Sequence, residues 1–418
     1  MTGQKKIKVP IDRIEVGMYV DLELSWTQHP FLFSHFKIKT QKDLDTIKSL
    51  GLEAVTVIPA KCDLKARGKA PDPAPATPPQ PDEMWEEKKS HLVEAQKYRE
   101  RRKKVINEYR KKAQQVKKLT MELKTSPANA IQDADAVVES LAGEFDNSSE
   151  MLTNLVNLGS GEHTFYNHNV NVTVLSIMLG SALGIKGDAL RQLAMGGLLH
   201  DVGKVMIPDQ IVKKPLNQLT PPEKTILQQH PEIGKTLVER VSSLPKLAQA
   251  ILLYHHEYLD GSGYPKGLKD KQIPIPVRIV SICNLYDNLI NARTTAECMT
   301  PKMALAVIYK KFSSKLDMQL VKLFIRTMGV YPPGTVVKLT DGSIGLVIAV
   351  NSKTLLKPEL LLYNPDIPKG DALIIDLAQH DDLDIEDVLK PGDYPSRIYE
   401  YLGIEERLGY FMTNKKST

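Results

Sequence analysis

The chain has 418 residues, a net charge of +5, 42% hydrophobic and 25% charged residues, a globular make-up too long for one ordinary core, so two to four domains are expected. Its longest apolar run, "VTVLSIMLGSALGI", is too short for a bilayer and carries serines, and the basic start "MTGQKKIKVPIDRIEV" lacks the apolar region of a secretion signal, so a cytoplasmic location without a membrane span is expected. Cys62, Cys283 and Cys298 are odd in number and have no CxxC spacing, which excludes a disulfide framework and a zinc ribbon and leaves reduced, packed thiols.

Residues 1–65 alternate short strand-like runs ("KIKVPI", "MYVDLEL", "AVTVIPA") with one helical stretch closed by Gly51, which predicts a small α+β module. Residues 66–83 are a proline-rich linker that cannot pack a core. Residues 84–129 predict a charged connecting or dimerising helix. Its basic excess would suit nucleic acid, but the interleaved acids fit a solvated helix better, so no nucleic-acid polymer is expected as a partner and a homodimer is. Residues 130–330 carry helix-compatible apolar periods throughout and predict an all-α domain of catalytic size. Residues 331–418 switch to period two in "TVVKLTDGSIGLVIAV", with a hairpin signal at Asp341-Gly342, and predict a small β-rich domain. The fold class is therefore multidomain, an all-α domain flanked by an α+β module and a β-rich tail.

Most of the histidines fall inside the helical segment, at positions 163, 168, 200, 230, 255 and 256. His200-Asp201 closes the apolar helix "LRQLAMGGLLH", where an ionisable pair is costly unless coordinated or hydrogen-bonded. Thr220, Pro221 and Glu223 form a capping box that is expected to carry His230 nearly three turns along one rigid helix. In "HHEYLDGSGYP" (255–265) the histidines would point about 100° apart on a helix, so they are expected to serve different parts of a cluster. Imidazoles and carboxylates without thiolate suit iron, manganese or zinc, and a carboxylate can bridge two such ions.

The order His168, His200-Asp201-Val-Gly-Lys204, His230-Pro231 with Gly234, His255-His256-Glu257 and Asp260-Gly-Ser-Gly-Tyr264-Pro265 resembles an HD-GYP phosphodiesterase domain of the HD metal-hydrolase superfamily, over about residues 145–330. The ligand blocks are 32, 30 and 25 residues apart, as in that family. Residues 1–60 resemble the small module that often precedes such domains, and the segment from Tyr331 resembles the β tail that often follows. The resemblance implies metal-dependent opening of cyclic di-GMP to linear pGpG, in some members onward to GMP, or hydrolysis of cyclic GMP-AMP. It implies two divalent ions, iron or manganese. One would be held by His168, His200 and Asp201, which bridges to a second held by His230, His255 and His256. Lys204 would contact a phosphate, Arg293 the other phosphate, and Gly263, Tyr264 and Pro265 would border the substrate. Cyclic-dinucleotide synthases of the GGDEF class are the implied protein partners.

Two departures stand out. Where the family has its last aspartate ligand this chain has Asn284, a neutral and weaker donor, with Asp287 one turn on as a candidate replacement. Where some members have a glutamate for a third ion, this chain has Thr164, and Glu162 and His163 face elsewhere, so two ions are expected. An altered but active phosphodiesterase is the expectation. A degenerate cyclic-dinucleotide receptor or protein-interaction module is the alternative.

Overall fold

The computed structural model describes residues 6–404 except 26–27, 32, 64–80, 159–164, 240, 293–297, 352, 366, 368, 370–371, 381–382 and 391–392. The chain divides into two units, residues 1–98 with 364–374 and residues 99–363 with 375–418.

In the first unit, β1 (Ile7–Pro10), β2 (Tyr19–Asp21), β3 (His35–Lys37), α1 (Gln41–Ser49) and β4 (Ala54–Val57) follow in chain order. The sheet has the order β1-β4-β2-β3 and is antiparallel, with Val57 opposite both Ile7 and Val20. Helix α1 starts on a reciprocal cap in which Asp43 N–H donates to Thr40 Oγ1 (3.1 Å) and Thr40 N–H to Asp43 Oδ2 (2.9 Å). It seals Leu44 and Ile47 against Val20, Ile38, Val55 and Val57. Gly51 follows it at φ +71°, a conformation open to glycine without cost.

Helix α2 (Pro81–Glu122) begins in this unit and ends in the second, where α3 (Pro127–Leu158), α4 (Phe165–Ala182), α5 (Gly187–Leu199), α6 (Asp209–Val212), α7 (Pro221–Gln228), α8 (His230–Val238), α9 (Lys246–Tyr254), α10 (Ile275–Ile290), α11 (Pro301–Lys311) and α12 (Met318–Met328) follow. Helix α4 contains all but the last three residues of the apolar run noted above, and every residue from His168 to Gly180 is buried. A helix apolar all round must be enclosed, and α3, α5, α10 and α12 enclose this one. Among the described residues no helix is long and apolar enough to cross a membrane.

Strands β5 (Val336–Leu339), β6 (Ile344–Ala349), β7 (Glu359–Tyr363), β8 (Ile374–Asp376) and β9 (Ile385–Leu389) then form a sheet of order β8-β7-β6-β5-β9, followed by α13 (Ser396–Leu402). The β5–β6 hairpin turns at Asp341-Gly342, with Gly342 at φ +94° and Ser343 N–H donating to Asp341 Oδ1 (2.8 Å).

Candidate metal centre

Three of the candidate ligands sit at the C-terminal ends of helices. A helix leaves its last carbonyls without an N–H partner, and here imidazoles supply it. His200 Nδ1 lies 2.7 Å from Gly197 O at the end of α5, His230 Nδ1 lies 2.7 Å from Leu227 O beyond α7, and His255 Nδ1 lies 3.0 Å from Leu252 O at the end of α9. Since a carbonyl only accepts, each Nδ1 carries the hydrogen and each Nε2 faces inward as a bare lone pair.

His230 does not ride on a continuation of α7. The capping box at Thr220 and Glu223 is present, but α7 stops at Gln228 and His230 opens α8. Pro231 has no N–H for the carbonyl of Leu227, which breaks the ladder and leaves that oxygen for the imidazole. His255 and His256 also depart from the helical expectation. Helix α9 ends at Tyr254, so the two rings do not splay but approach to 4.2 Å between centroids.

His168 is in the first turn of α4, where no carbonyl is free, and its Nδ1 donates instead to Asp287 Oδ2 at 2.6 Å. Its Nε2 lies 3.2 Å from His200 Nε2, and His230 Nε2 lies 3.2 Å from His255 Nε2. Asp201, fully buried, stands between the two pairs. Its Oδ2 is 3.5 Å from both His168 Nε2 and His200 Nε2, and its Oδ1 is 3.1 Å from His230 Nε2 and 3.6 Å from His255 Nε2. His168, His200 and Asp201 form one group able to hold an ion, and Asp201, His230, His255 and His256 a second, with the ligand atoms of each within 4.8 Å of one another. Neither Nε2 pair has a hydrogen to share, and Asp201 Oδ1 is buried without a hydrogen-bond donor. Facing lone pairs repel, so the donor set fits divalent cations.

Burial pushes His200 and His256 well below the ordinary imidazole range and His230 down to about 4, which keeps their lone pairs available. Burial alone would raise the Asp201 carboxyl, but chiefly the Lys204 ammonium holds it well below the usual carboxylate range. Lys204 Nζ donates to Asp201 Oδ2 and remains partly exposed.

The loop after α9 is fastened by Glu257, whose buried carboxylate accepts from the N–H groups of Lys266 (2.6 Å), Gly267 (3.1 Å) and Leu268 (2.9 Å). Tyr264 stacks on His256 with centroids 4.6 Å apart and planes inclined by 18°, and its N–H donates to His256 O (3.2 Å). A Cβ on Gly263 would lie 2.5 Å from His256 O, so only glycine lets the loop return this close to the backbone of the ligand histidines. Tyr264-Pro265 follows directly and is in the cis form.

Asn284 is buried on α10, its Oδ1 accepting from Asn288 Nδ2 at 2.6 Å. Both Asp287 oxygens are engaged, Oδ2 by His168 Nδ1 and Oδ1 by Asn171 Nδ2 (2.8 Å) and Asn291 Nδ2 (2.8 Å). Asp287 thus stands behind His168 and is not a substitute ligand. The sequence reading missed this role and the part of Asn171, although a buried asparagine three residues after His168, on the same helix face, was the available signal. Arg293, Glu162, His163 and Thr164 lie outside the described residues.

Residues 150–320 match the HD domain family, and residues 6–134 match a domain of unknown function, DUF3391. A cyclic di-GMP phosphodiesterase of Pseudomonas aeruginosa is 27% identical over 365 residues, covering 85% of this chain and 84% of the relative. The cyclic di-GMP phosphodiesterase response regulator RpfG of Xanthomonas campestris is 35% identical over 150 residues, 36% of this chain and 39% of the relative. A 3'3'-cGAMP-specific phosphodiesterase of Vibrio cholerae is 30% identical over 186 residues, 43% of this chain and 41% of the relative. The chain thus spans less than half the length of the latter two. Among solved structures, an HDG"Y"P protein from Bdellovibrio bacteriovorus aligns with a TM-score of 0.46 and 16% identity, covering 77% of this chain and 98% of that one. The chain carries an HD domain over residues 150–320, preceded by a DUF3391 module over residues 6–134.

Proposed function

We propose that this chain is an HD-GYP phosphodiesterase that hydrolyses cyclic di-GMP to linear pGpG. The observation that carries the reading is Asp201, a buried carboxylate offering one oxygen to each of two histidine groups whose lone pairs have no hydrogen to meet. His168, His200 and Asp201 would hold one divalent ion and Asp201, His230, His255 and His256 a second, and Asn284 would lend a neutral amide oxygen. Iron or manganese suits this thiolate-free set. Bound ions of this kind lower the pKa of an attacking water and neutralise charge on a phosphodiester.

Hydrolysis adds water across one P–O3′ bond, which leaves a 5′-phosphate and a free 3′-hydroxyl. This chain's contribution is positioning and charge. Lys204 is paired with Asp201, and with ions held at that carboxylate its ammonium would be available to the substrate's phosphate. Glu257 and Gly263 hold the loop that sets Tyr264 against His256, beside which Pro265 and Gly263 border the substrate. Arg293 is assigned to the second phosphate.

The relatives' names support the substrate class, two kinds of cyclic dinucleotide being represented. The test is turnover of cyclic di-GMP and cyclic GMP-AMP by the full chain, metal-stripped and then reloaded with Mn²⁺ or Fe²⁺. Metal-dependent pGpG formation is expected. Binding of cyclic di-GMP without hydrolysis under every metal condition would make the domain a receptor, and faster turnover of cyclic GMP-AMP would reassign the substrate.

A further inference from the structure

Tyr109 is buried on α2, some sixty residues before the first candidate ligand in sequence. Its hydroxyl donates to Asn171 Oδ1 at 2.6 Å, with Asn167 O a more distant acceptor at 3.4 Å. Asn171 Nδ2 donates to Asp287 Oδ1 at 2.8 Å, and Asp287 Oδ2 accepts from His168 Nδ1 at 2.6 Å. The donors converge on Asp287, Tyr109 and Asn171 from one side and His168 from the other, so the carboxylate is the acceptor that both halves of the row share. The row ends on the imidazole whose Nε2 faces Asp201.

His168 is set apart from His200, His230 and His255 by this arrangement. Those three take their tautomer from helix-end carbonyls, which the backbone supplies wherever the helix stops. His168 takes its tautomer from an anion, and an anion behind an imidazole raises its basicity toward a metal. A buried carboxylate is itself costly unless its lone pairs are met, and here Asn171 and Asn291 meet them. A carboxylate only accepts, so Asn171 must turn Nδ2 toward Asp287, and the Tyr109 hydroxyl donates to the Oδ1 that is left facing away and holds the side chain from that end.

We infer that Tyr109 is a positioning residue for the metal group of His168, acting through Asn171 and Asp287. The inference rests on the proposed metal centre and makes the connecting helix part of it. Removing the hydroxyl leaves the buried Asn171 Oδ1 without its donor, loosens the hold on Asp287 and weakens His168 as a ligand, while the histidines fixed by backbone carbonyls are unaffected.

The experiment is Mn²⁺ binding to the metal-stripped full chain, by calorimetry and by electron paramagnetic resonance, for the parent, Tyr109→Phe, Asp287→Asn and the double variant. Tyr109→Phe should weaken one of the two ions by about three- to tenfold, and Asp287→Asn the same ion by about 10- to 100-fold. The double variant should match Asp287→Asn alone, because the tyrosine acts only through the carboxylate. A general packing role would give multiplicative losses, and that outcome, or an unchanged affinity in Tyr109→Phe, overturns the inference. Asn171→Leu, which keeps the branched side-chain shape but removes both polar ends, provides a second break in the row and should resemble Asp287→Asn. Mn²⁺ binding as described in a chain that hydrolyses no cyclic dinucleotide would sustain this inference and overturn only the functional reading.

Discussion

Asp201 is the only formally charged side chain among the candidate ligands, so two divalent ions beside it would leave a centre with a large positive excess. Such a centre attracts phosphates strongly but holds its own ions less tightly than one with a second carboxylate. Asn284 stands where the HD-GYP resemblance would put that second carboxylate. Asn284→Asp keeps the acceptor used by Asn288 and should tighten one ion on the order of tenfold, a gain of about 1.4 kcal/mol after desolvation is offset. Hydrolysis at limiting metal should rise accordingly and change little at saturation, and equal metal titrations for both proteins would remove Asn284 from the ligand set. Lys204 calls for the opposite pattern. Because its ammonium competes with cations for Asp201, Lys204→Ala should bind metal at least as well as the parent yet lose on the order of 100-fold in turnover. Loss of metal together with activity would show that the lysine supports the site and not the substrate. The identities of these residues were legible from motif order and spacing. The engagement of Lys204 with Asp201 was not, since a spacing of three residues shows proximity but not which charge is satisfied.

At the scale of elements, the centre is made by places where helices stop. The sequence showed apolar periods ending at His200 and near His255, but the break between α7 and α8 was hidden under a strong N-terminal cap that promised a longer helix. Pro231 was the overlooked signal, because its effect falls on the carbonyl four residues earlier. The turn Val202–Met206 between α5 and α6 packs directly on α8, and Gly203 makes that possible. A Cβ there would lie 1.9 Å from His230 O and 2.6 Å from Gly234 N, both backbone atoms that cannot move aside. Gly203→Ala should therefore push α8 away, destabilise the domain by about 2–4 kcal/mol and weaken the ion of the His230 group. Thermal unfolding and metal titration of the variant check this, and an unaltered midpoint would mean that the two elements are not in contact in solution.

For the whole chain, the architecture was legible because each part has its own period: short alternating runs before the proline-rich stretch, 3.6-residue periods through the middle, and period two after "YPPG". The enclosure of α4 was less so, since an apolar helix reads alike whether neighbours or lipid cover it. Concentrating neutral imidazoles in that buried core gives the metal-free protein a pH dependence. Unfolded histidines take up protons near pH 6.5, whereas folded His230 does so only near 4, so the unfolded state binds more protons between those values. Stability of the metal-free chain should be constant above about pH 6.5 and fall as pH drops toward 4, with up to about 3 kcal/mol from His230 alone. Denaturant midpoints across that range, with chelator present, check the slope, and a flat profile would mean that the histidines are solvated.

The claim on which the account depends is that one carboxylate serves two ions. Metal content and cyclic di-GMP hydrolysis, measured together on the purified full chain and on Asp201→Ala, test it most directly. The account predicts two divalent ions per chain and metal-dependent formation of pGpG in the parent, and loss of both ions and of hydrolysis in the variant. Retention of one tightly held ion with more than about a tenth of parental activity in Asp201→Ala would contradict it.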